Sequence, residues 1–281
     1  MKKKLQPRSV IVISDTHCGC RMGLFPNHPM MLDGGTMFGP SRLQQKVWAY
    51  WRHFWDEWVP EVTKGGPFIL VVNGDAMDGD HHGSKTQVSH NYADQQAIAL
   101  ACLRPVVGQA AAYFHLRGTE AHSGPSGEQE ELLARALGAI PDAEGNHARW
   151  DLRLDLWGNL CHFCHTVGVT GSAAYKSTAP YKELNEALAE SGKSGRPAPR
   201  VLVRSHRHGP IEVREPTRTG DYIVAVSAGW QLKTPYVYRL ASGRACPPSI
   251  GGLCIRVGDR ILYTESKVWD VEPPLAEVYG A

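Results

Sequence analysis

The chain reads as an α/β protein: a single domain, residues 1–281, built on two packed β-sheets flanked by helices. Three observations predict this. In the first half, short β-branched apolar runs alternate with segments of helical periodicity. In the second half, strand-length apolar runs follow one another with little helix between them. No linker or internal repeat separates the halves, and 281 residues with 42% hydrophobic content suffice for one large core.

The elements follow in order. Residues 10–14 form a buried strand, and residues 18–40 a Gly-, Pro- and Met-rich loop too long to be mere connection. Ser41 caps a helix to about Trp58, in which Val47, Trp51, Phe54, Trp55 and Trp58 form a core-facing stripe. Pro60 and Gly65-Gly66 end it. A strand at 68–72 leads into Asn73-Gly74-Asp75, a helix spans about 92–112, and a third strand covers 113–116. Residues 128–137 are helical. Two strands, 152–156 and 160–164, turn at Gly158-Asn159. Residues 177–200 hold a short helix and a polar loop, and strands follow at 201–204 and 222–227. A hairpin, 253–257 with 260–264, turns at Gly258-Asp259. The motif-bearing core runs from about 8 to 265, with a tail at about 266–281.

Composition excludes several classes. The formal net charge of +2 advertises neither nucleic-acid nor anionic-membrane binding. No apolar run spans a bilayer, and residues 10–13 are too short for a signal-peptide core. A cytoplasmic protein without a membrane partner is expected. Seven scattered cysteines, an odd number, argue against a disulfide framework.

Chemistry gathers after the strands. Asp15-Thr16-His17 follows the first, and Gly74-Asp75 with Asp78 the second. Gly118-Thr119-Glu120-Ala121-His122 follows the third, His165 a later one, and Ser205-His206-Arg207-His208 another. Ligands of open α/β sheets bind at this edge. Asp and His two apart on an extended chain face the same side and can reach one ion. Asp-x-His alone is weak, Gly-Asp-x-x-Asp only somewhat better, and His-x-His at a strand end moderately specific; their succession, each after an apolar strand, is a strong joint signal. Carboxylates and imidazoles suit Mn²⁺, Fe, Zn²⁺ or Ni²⁺. Two ions about 3.5–4 Å apart need a shared carboxylate. Asp75 is its natural source, because Gly74 lets the backbone turn sharply.

The set resembles the calcineurin-like metallophosphoesterases over about residues 10–209, and is nearest in style to small bacteriophage-encoded members. The resemblance implies a four-layer αββα sandwich and two divalent metal ions, Mn²⁺ foremost. It places Asp15, His17, Asp75 and His208 on the first metal, and Asp75, His165 and His206 on the second, with Asp78 orienting the catalytic histidine. It implies hydrolysis of phosphate esters, phosphodiesters in preference, by a bridging hydroxide attacking phosphorus. The partner is then a phosphate-ester substrate, nucleotide and nucleic acid included; the oligomeric state stays open. A non-catalytic metal-binding or nucleic-acid accessory protein is the alternative.

The third motif departs from the family's Gly-Asn-His. Thr119 and Glu120 both compete to face the second metal; Glu120, being charged, is the better oxygen ligand, and His122 is the displaced general acid. Gly145-Asn146-His147 spells the missing motif but precedes a strand, so it reads as loop. His81 and His82 follow the second motif closely enough to touch substrate, and residues 230–233 read as pocket wall.

Cys161-x-x-Cys164-His165 matches the pattern that attaches c-type haem and could also be half of a zinc site. Strand alternation separates its members: Cys161, Phe163 and His165 on one side, His162 and Cys164 on the other. His165, at the strand's exit, is then the metal ligand, and Cys161 a small buried side chain. Gly192-Lys193-Ser194 reads as a flexible turn, because Ala187 stands where a phosphate loop needs its first glycine.

Overall fold

A computed structural model describes residues 6–81, 83–168, 173–218, 220–239, 249–258 and 262–271. Its first half contains β1 (Ser9–Ile13), β2 (Met30–Met31), β3 (Met37–Phe38), α1 (Arg42–His53) and α2 (Val59–Thr63). It continues through β4 (Phe68–Asn73), α3 (Tyr92–Val107), β5 (Ala112–Leu116), α4 (Glu120–Ser123), α5 (Glu128–Leu137) and β6 (Ala148–Arg149). Then come β7 (Leu152–Leu156), β8 (Asn159–Phe163), α6 (Thr178–Ser194), β9 (Val201–Arg204) and β10 (Ile211–Glu215). The last elements are β11 (Tyr222–Val226), α7 (Pro235–Arg239), β12 (Ser249–Val257) and β13 (Leu262–Asp270).

The strands form two mixed sheets, ordered β13-β12-β1-β4-β5-β6 and β10-β11-β9-β8-β7, plus the small β2-β3 pair. In the first sheet β1, β4, β5 and β6 are parallel; in the second, β8, β9 and β11 are. Alternation divides β1 between two cores. Val10 and Val12 meet Val71 and Leu116, and across the sandwich Phe163, Val203 and Ile223. Ile11 and Ile13 face the other way, under Trp51, Ile98 and Leu133 of α1, α3 and α5. On the far side Leu184 of α6 covers Leu202, Val213 and Val224. The result is the expected four-layer αββα sandwich. Each of these fully buried side chains contributes about 1.5–3 kcal/mol.

Ser41 caps α1 as expected, accepting from Gln44 N at 3.2 Å, while Gln44 Oε1 accepts from Ser41 N at 2.9 Å. The aromatic stripe is core, with Trp51, Phe54, Trp55 and Trp58 buried. Pro60 does not end the helix. A π-helical turn at Phe54–Trp58 widens the coil, with Val59 N bonded to Phe54 O, and α2 carries on to Thr63. The wide turn relieves the clash a proline ring makes with the carbonyl four residues back. Lys64, left-handed at φ 54°, closes it.

Other expectations shift. The long loop at 18–40 contains the β2-β3 pair, and α3 stops at Val107. The helix at 177–200 is not short: α6 has 17 residues and absorbs Gly192-Lys193-Ser194 in its last turn. The β7–β8 turn lies at Trp157-Gly158, both left-handed. Strand β13 runs to Asp270, into the segment read as tail. The Asp259 half of the predicted hairpin turn lies outside the described residues.

Candidate metal centre

The carboxyl ends of β1, β4 and β5 meet those of β8, β9 and β11 at one edge of the sandwich. The loops there cross-tie through their backbones. Asp15 N donates to Gly74 O (3.0 Å), His17 N to Asp75 O (3.1 Å) and Asp78 N to Cys18 O (3.1 Å). Thr16 Oγ1 donates to Ala76 O at 2.7 Å, and Ser14 Oγ to Asn73 O at 2.8 Å. These bonds hold a strained backbone: Asp15, His17, Asp75, His206 and His208 all have positive φ, between 42° and 71°. Non-glycine residues in that region cost on the order of 1–3 kcal/mol each and concentrate at functional sites.

Gly74, at φ +85°, performs the role expected of it. A Cβ there would lie 2.6 Å from His165 Nδ1 and 2.8 Å from Gly118 Cα. A Cβ on Gly118 would fall 1.9 Å from Asp75 Oδ1. Both positions must be bare for the loops to close on Asp75.

Two groups of donors result. In the first, His208 Nε2 is 3.2 Å from Asp15 Oδ1 and 3.1 Å from His17 Nε2. In the second, His165 Nε2 is 2.8 Å from Asp75 Oδ2, with His206 Nδ1 at 3.8 Å. The groups adjoin, because Asp15 Oδ1 also stands 3.9 Å from His165 Nε2. Asp15 Oδ1 and His165 Nε2 are buried and find no aligned hydrogen-bond partner among the described residues. Buried polar atoms left without one are costly. Oxygen and imidazole atoms converging in this way fit divalent cations.

Electrostatics agree with the geometry. Burial alone would raise the Asp15 carboxyl; His208 and His165 hold it well below the ordinary carboxylate range. Asp75 is likewise lowered against burial, by His165 and His122. Burial works against a charged His165, yet Asp75 and Asp15 push it up to about 10. The buried aspartates thus demand positive charge beside them.

The third loop corrects one expectation. Glu120 is exposed at the start of α4 and is not among the converging donors. Thr119 faces inward instead: its N–H donates to Asp75 Oδ1 at 2.7 Å, and its hydroxyl lies 3.2 Å from both Asp75 oxygens. As the residue before the first helical turn, Thr119 still follows the strand, whereas Glu120 already turns outward with α4.

Asp78 acts on His122 differently from the expectation. Its carbonyl oxygen, not its carboxylate, accepts from His122 Nδ1 at 2.5 Å. The carboxylate meets His17 Nδ1 (3.2 Å) and accepts from Gln87 Nε2 (2.9 Å) and Gln231 Nε2 (3.1 Å). His17, His81 and His122 crowd together, with His122 edge-on to both others at 4.5 Å between centroids. Burial pushes His122 down to about 4, against the pull of Asp75. His81 Nε2 lies 3.7 Å from Asp78 Oδ2; His82 is outside the described residues.

Sequence reasoning did not identify Gln87, or Asn73, which donates to Cys164 O (3.0 Å) and Ser205 Oγ (2.7 Å) and so ties the sheets together beneath the centre. Gln231 lay in the segment read as pocket wall. Gly145-Asn146-His147 is a loop, as expected, with His147 N and Ala148 N bonded to Glu131.

No protein-family model matches the chain. No curated protein matches it. Among solved structures it is similar to Vps29 of Entamoeba histolytica, complexed with zinc, at TM-score 0.38 and 9% identity over 93% of this chain and 98% of that one. It is also similar to a metallophosphoesterase of Sphaerobacter thermophilus, at TM-score 0.38 and 10% identity over 94% and 88%. A third is a Streptococcus pneumoniae protein described as a predicted phosphoesterase, at TM-score 0.34 and 9% identity over 94% and 99%.

Proposed function

We propose that the chain is a metal-dependent phosphoesterase of the calcineurin-like type, with phosphodiesters as its preferred substrates. One observation carries this reading: two adjoining Asp–His groups at convergent strand ends, in which the buried Asp15 Oδ1 and His165 Nε2 have no aligned hydrogen bond among the described residues. Asp15, His17 and His208 would hold one divalent cation, Mn²⁺ foremost, and Asp75, His165 and His206 a second. Such ions supply a nucleophile at neutral pH, by lowering the pKa of water to about 7, and neutralise charge on phosphoryl oxygens.

The protein's own groups do the rest. Asp78, clamped by Gln87 and Gln231, orients the His17 ring through Nδ1. Its carbonyl fixes the His122 tautomer with the proton on Nδ1, leaving Nε2 for the substrate. Burial keeps His122 neutral in the free protein. A bound phosphate ester, being anionic, would raise it, so that it protonates the departing oxygen. His81 packs against His122 and would meet the substrate at the same rim. The six described cysteines are free thiols, which suits the cytoplasm. No described helix is long and apolar enough to cross a membrane.

The test is turnover of bis-p-nitrophenyl phosphate and p-nitrophenyl phosphate by metal-stripped protein reloaded with Mn²⁺, Zn²⁺, Fe²⁺ or Ni²⁺. Diester turnover that requires metal is expected. A second reading rests on Thr119: a hydroxyl stands where family members supply an Asn ligand, so the centre binds metal without catalysis. Metal uptake with no turnover under any ion would favour that reading.

A further inference from the structure

The opposite face of β8 carries a second constellation. His162 and Cys164 project from the outer face of the second sheet, away from His165. In the β7–β8 register Leu152 pairs with Phe163 and Arg153 with His162, so Asp151 comes opposite Cys164. The three side chains converge. Cys164 Sγ is 3.3 Å from His162 Nε2 and 3.7 Å from Asp151 Oδ2, and Nε2 is 2.5 Å from that same oxygen.

This is not a nucleophile–base–acid relay. In a relay the thiol and the carboxylate would engage opposite nitrogens of the imidazole; here both meet Nε2. Donors directed at a common point instead of through the ring are the arrangement of metal ligands. We propose that Asp151, His162 and Cys164 form a separate site for a zinc-class divalent cation, distinct from the central Asp–His groups.

The spacing supports it. With Zn–S of about 2.3 Å and Zn–N or Zn–O of about 2.0 Å, tetrahedral donors stand about 3.3–3.5 Å apart. The Sγ–Nε2 distance of 3.3 Å lies within that range, and the Sγ–Oδ2 distance of 3.7 Å exceeds it by 0.2 Å. The Nε2–Oδ2 contact must open, and the Asp151 side chain, 50% exposed, has room to swing. One thiolate and one carboxylate offset the charge of a divalent ion, and the sulfur selects zinc-class over magnesium-class cations. Three protein ligands leave a fourth position for water. His162 also lines a cleft of about 450 Å³ under α6, which offers a path of entry.

Two guanidiniums limit the affinity. Arg153 Nε stands 3.4 Å from Asp151 Oδ1, and Arg204 Nη2 3.4 Å from His162 Nδ1. Arg153 competes with a cation for the Asp151 carboxylate, whereas Arg204 faces the other ring nitrogen, Nδ1, which must carry the proton once Nε2 binds a cation. Arg204 is also held by Glu183 at 2.5 Å, whereas Arg153 is half exposed.

The test is Co²⁺ titration of the metal-stripped full chain, followed by near-ultraviolet absorption. Thiolate bound to Co²⁺ gives a charge-transfer band that oxygen and imidazole donors do not, so the readout is independent of phosphoesterase activity and of the central groups. The wild type should show the band, and C164S should lose it while keeping its circular dichroism. D151N, altered at an exposed position, should keep the band but need at least about tenfold more Co²⁺ to reach it. R153A should tighten binding about two- to fivefold. No band in the wild type, or a band unchanged in C164S, overturns the proposal. An unshifted D151N titration removes Asp151 from the ligand set and overturns the site as drawn. R153A binding no tighter than wild type contradicts the competition argument on which the site's electrostatics rest.

Discussion

One face of β8 runs out to His165 and the central Asp–His groups; the other carries His162 and Cys164. The central groups draw donors from the ends of β1, β4, β8 and β9, and five of those residues adopt left-handed backbone. They are held there by bonds between loops dozens of residues apart, and Asp15 and Asp75 are buried. The outer constellation needs none of this. Asp151, His162 and Cys164 come from the paired β7 and β8 segments, none has a positive φ, and Asp151 is exposed. Backbone strain therefore marks where several chain segments must aim at one point, and ordinary sheet register suffices where two neighbours do.

The comparison breaks most readily at Asp75. Asp75→Asn should abolish retention of the second cation and lower metal-dependent diester turnover by about 10²–10³-fold or more, measured by elemental analysis beside kinetics. Cobalt–thiolate absorption at the outer site should survive that change. If it vanishes too, the two constellations are not independent. His122→Ala should leave metal content intact while slowing esters of poor leaving groups by about 10²–10⁴-fold, with less effect on nitrophenyl esters. An equal loss for both leaving groups would sink the acid role of His122.

Gln87→Ala and Gln231→Ala test whether the strained centre depends on its supporting shell. Each should weaken metal affinity by about 10–100-fold in calorimetric titration, because Asp78 would lose its clamp on His17. The third loop gives a smaller contrast. Thr119→Ala should raise the metal concentration needed for half-maximal activity, whereas Glu120→Ala should leave it unchanged; the reverse would restore Glu120 as the ligand.

The smallest effect calibrates the others on a carboxylate outside both constellations. Burial would raise Glu131, but the N–H groups of Ala148 and His147 hold it below the ordinary glutamate value. Its folded pKa is thus depressed. The stability it contributes is present above the unfolded value of about 4.5 and is lost as pH falls through the folded one. Thermal unfolding of Glu131→Gln should run parallel to wild type below that window and fall behind above it.

Six of the converging Asp and His side chains were legible in the sequence for a local reason. Asp15, His17, Asp75, His165, His206 and His208 each follow an apolar strand at once, and period-two alternation tells which side a strand residue takes. The same alternation placed His162 and Cys164 together and away from His165. The two packed sheets were legible too, because strand and helix alternate in the first half and strands follow one another in the second; the four-layer order was what the family resemblance implied. Pro60 misled because its cost depends on the π turn before it, which no residue type announces.

What the sequence determined by itself was therefore the set of strand tips and the chemistry they bear. Tertiary structure alone decided that Thr119 and not Glu120 turns to Asp75, that Gln231 reaches Asp78 across 153 residues, and that Asp151 lies beside Cys164. The reason is range. Alternation and chain direction act over a few residues, whereas a hydrogen bond between distant loops exists only once both sheets have packed and their edges have met.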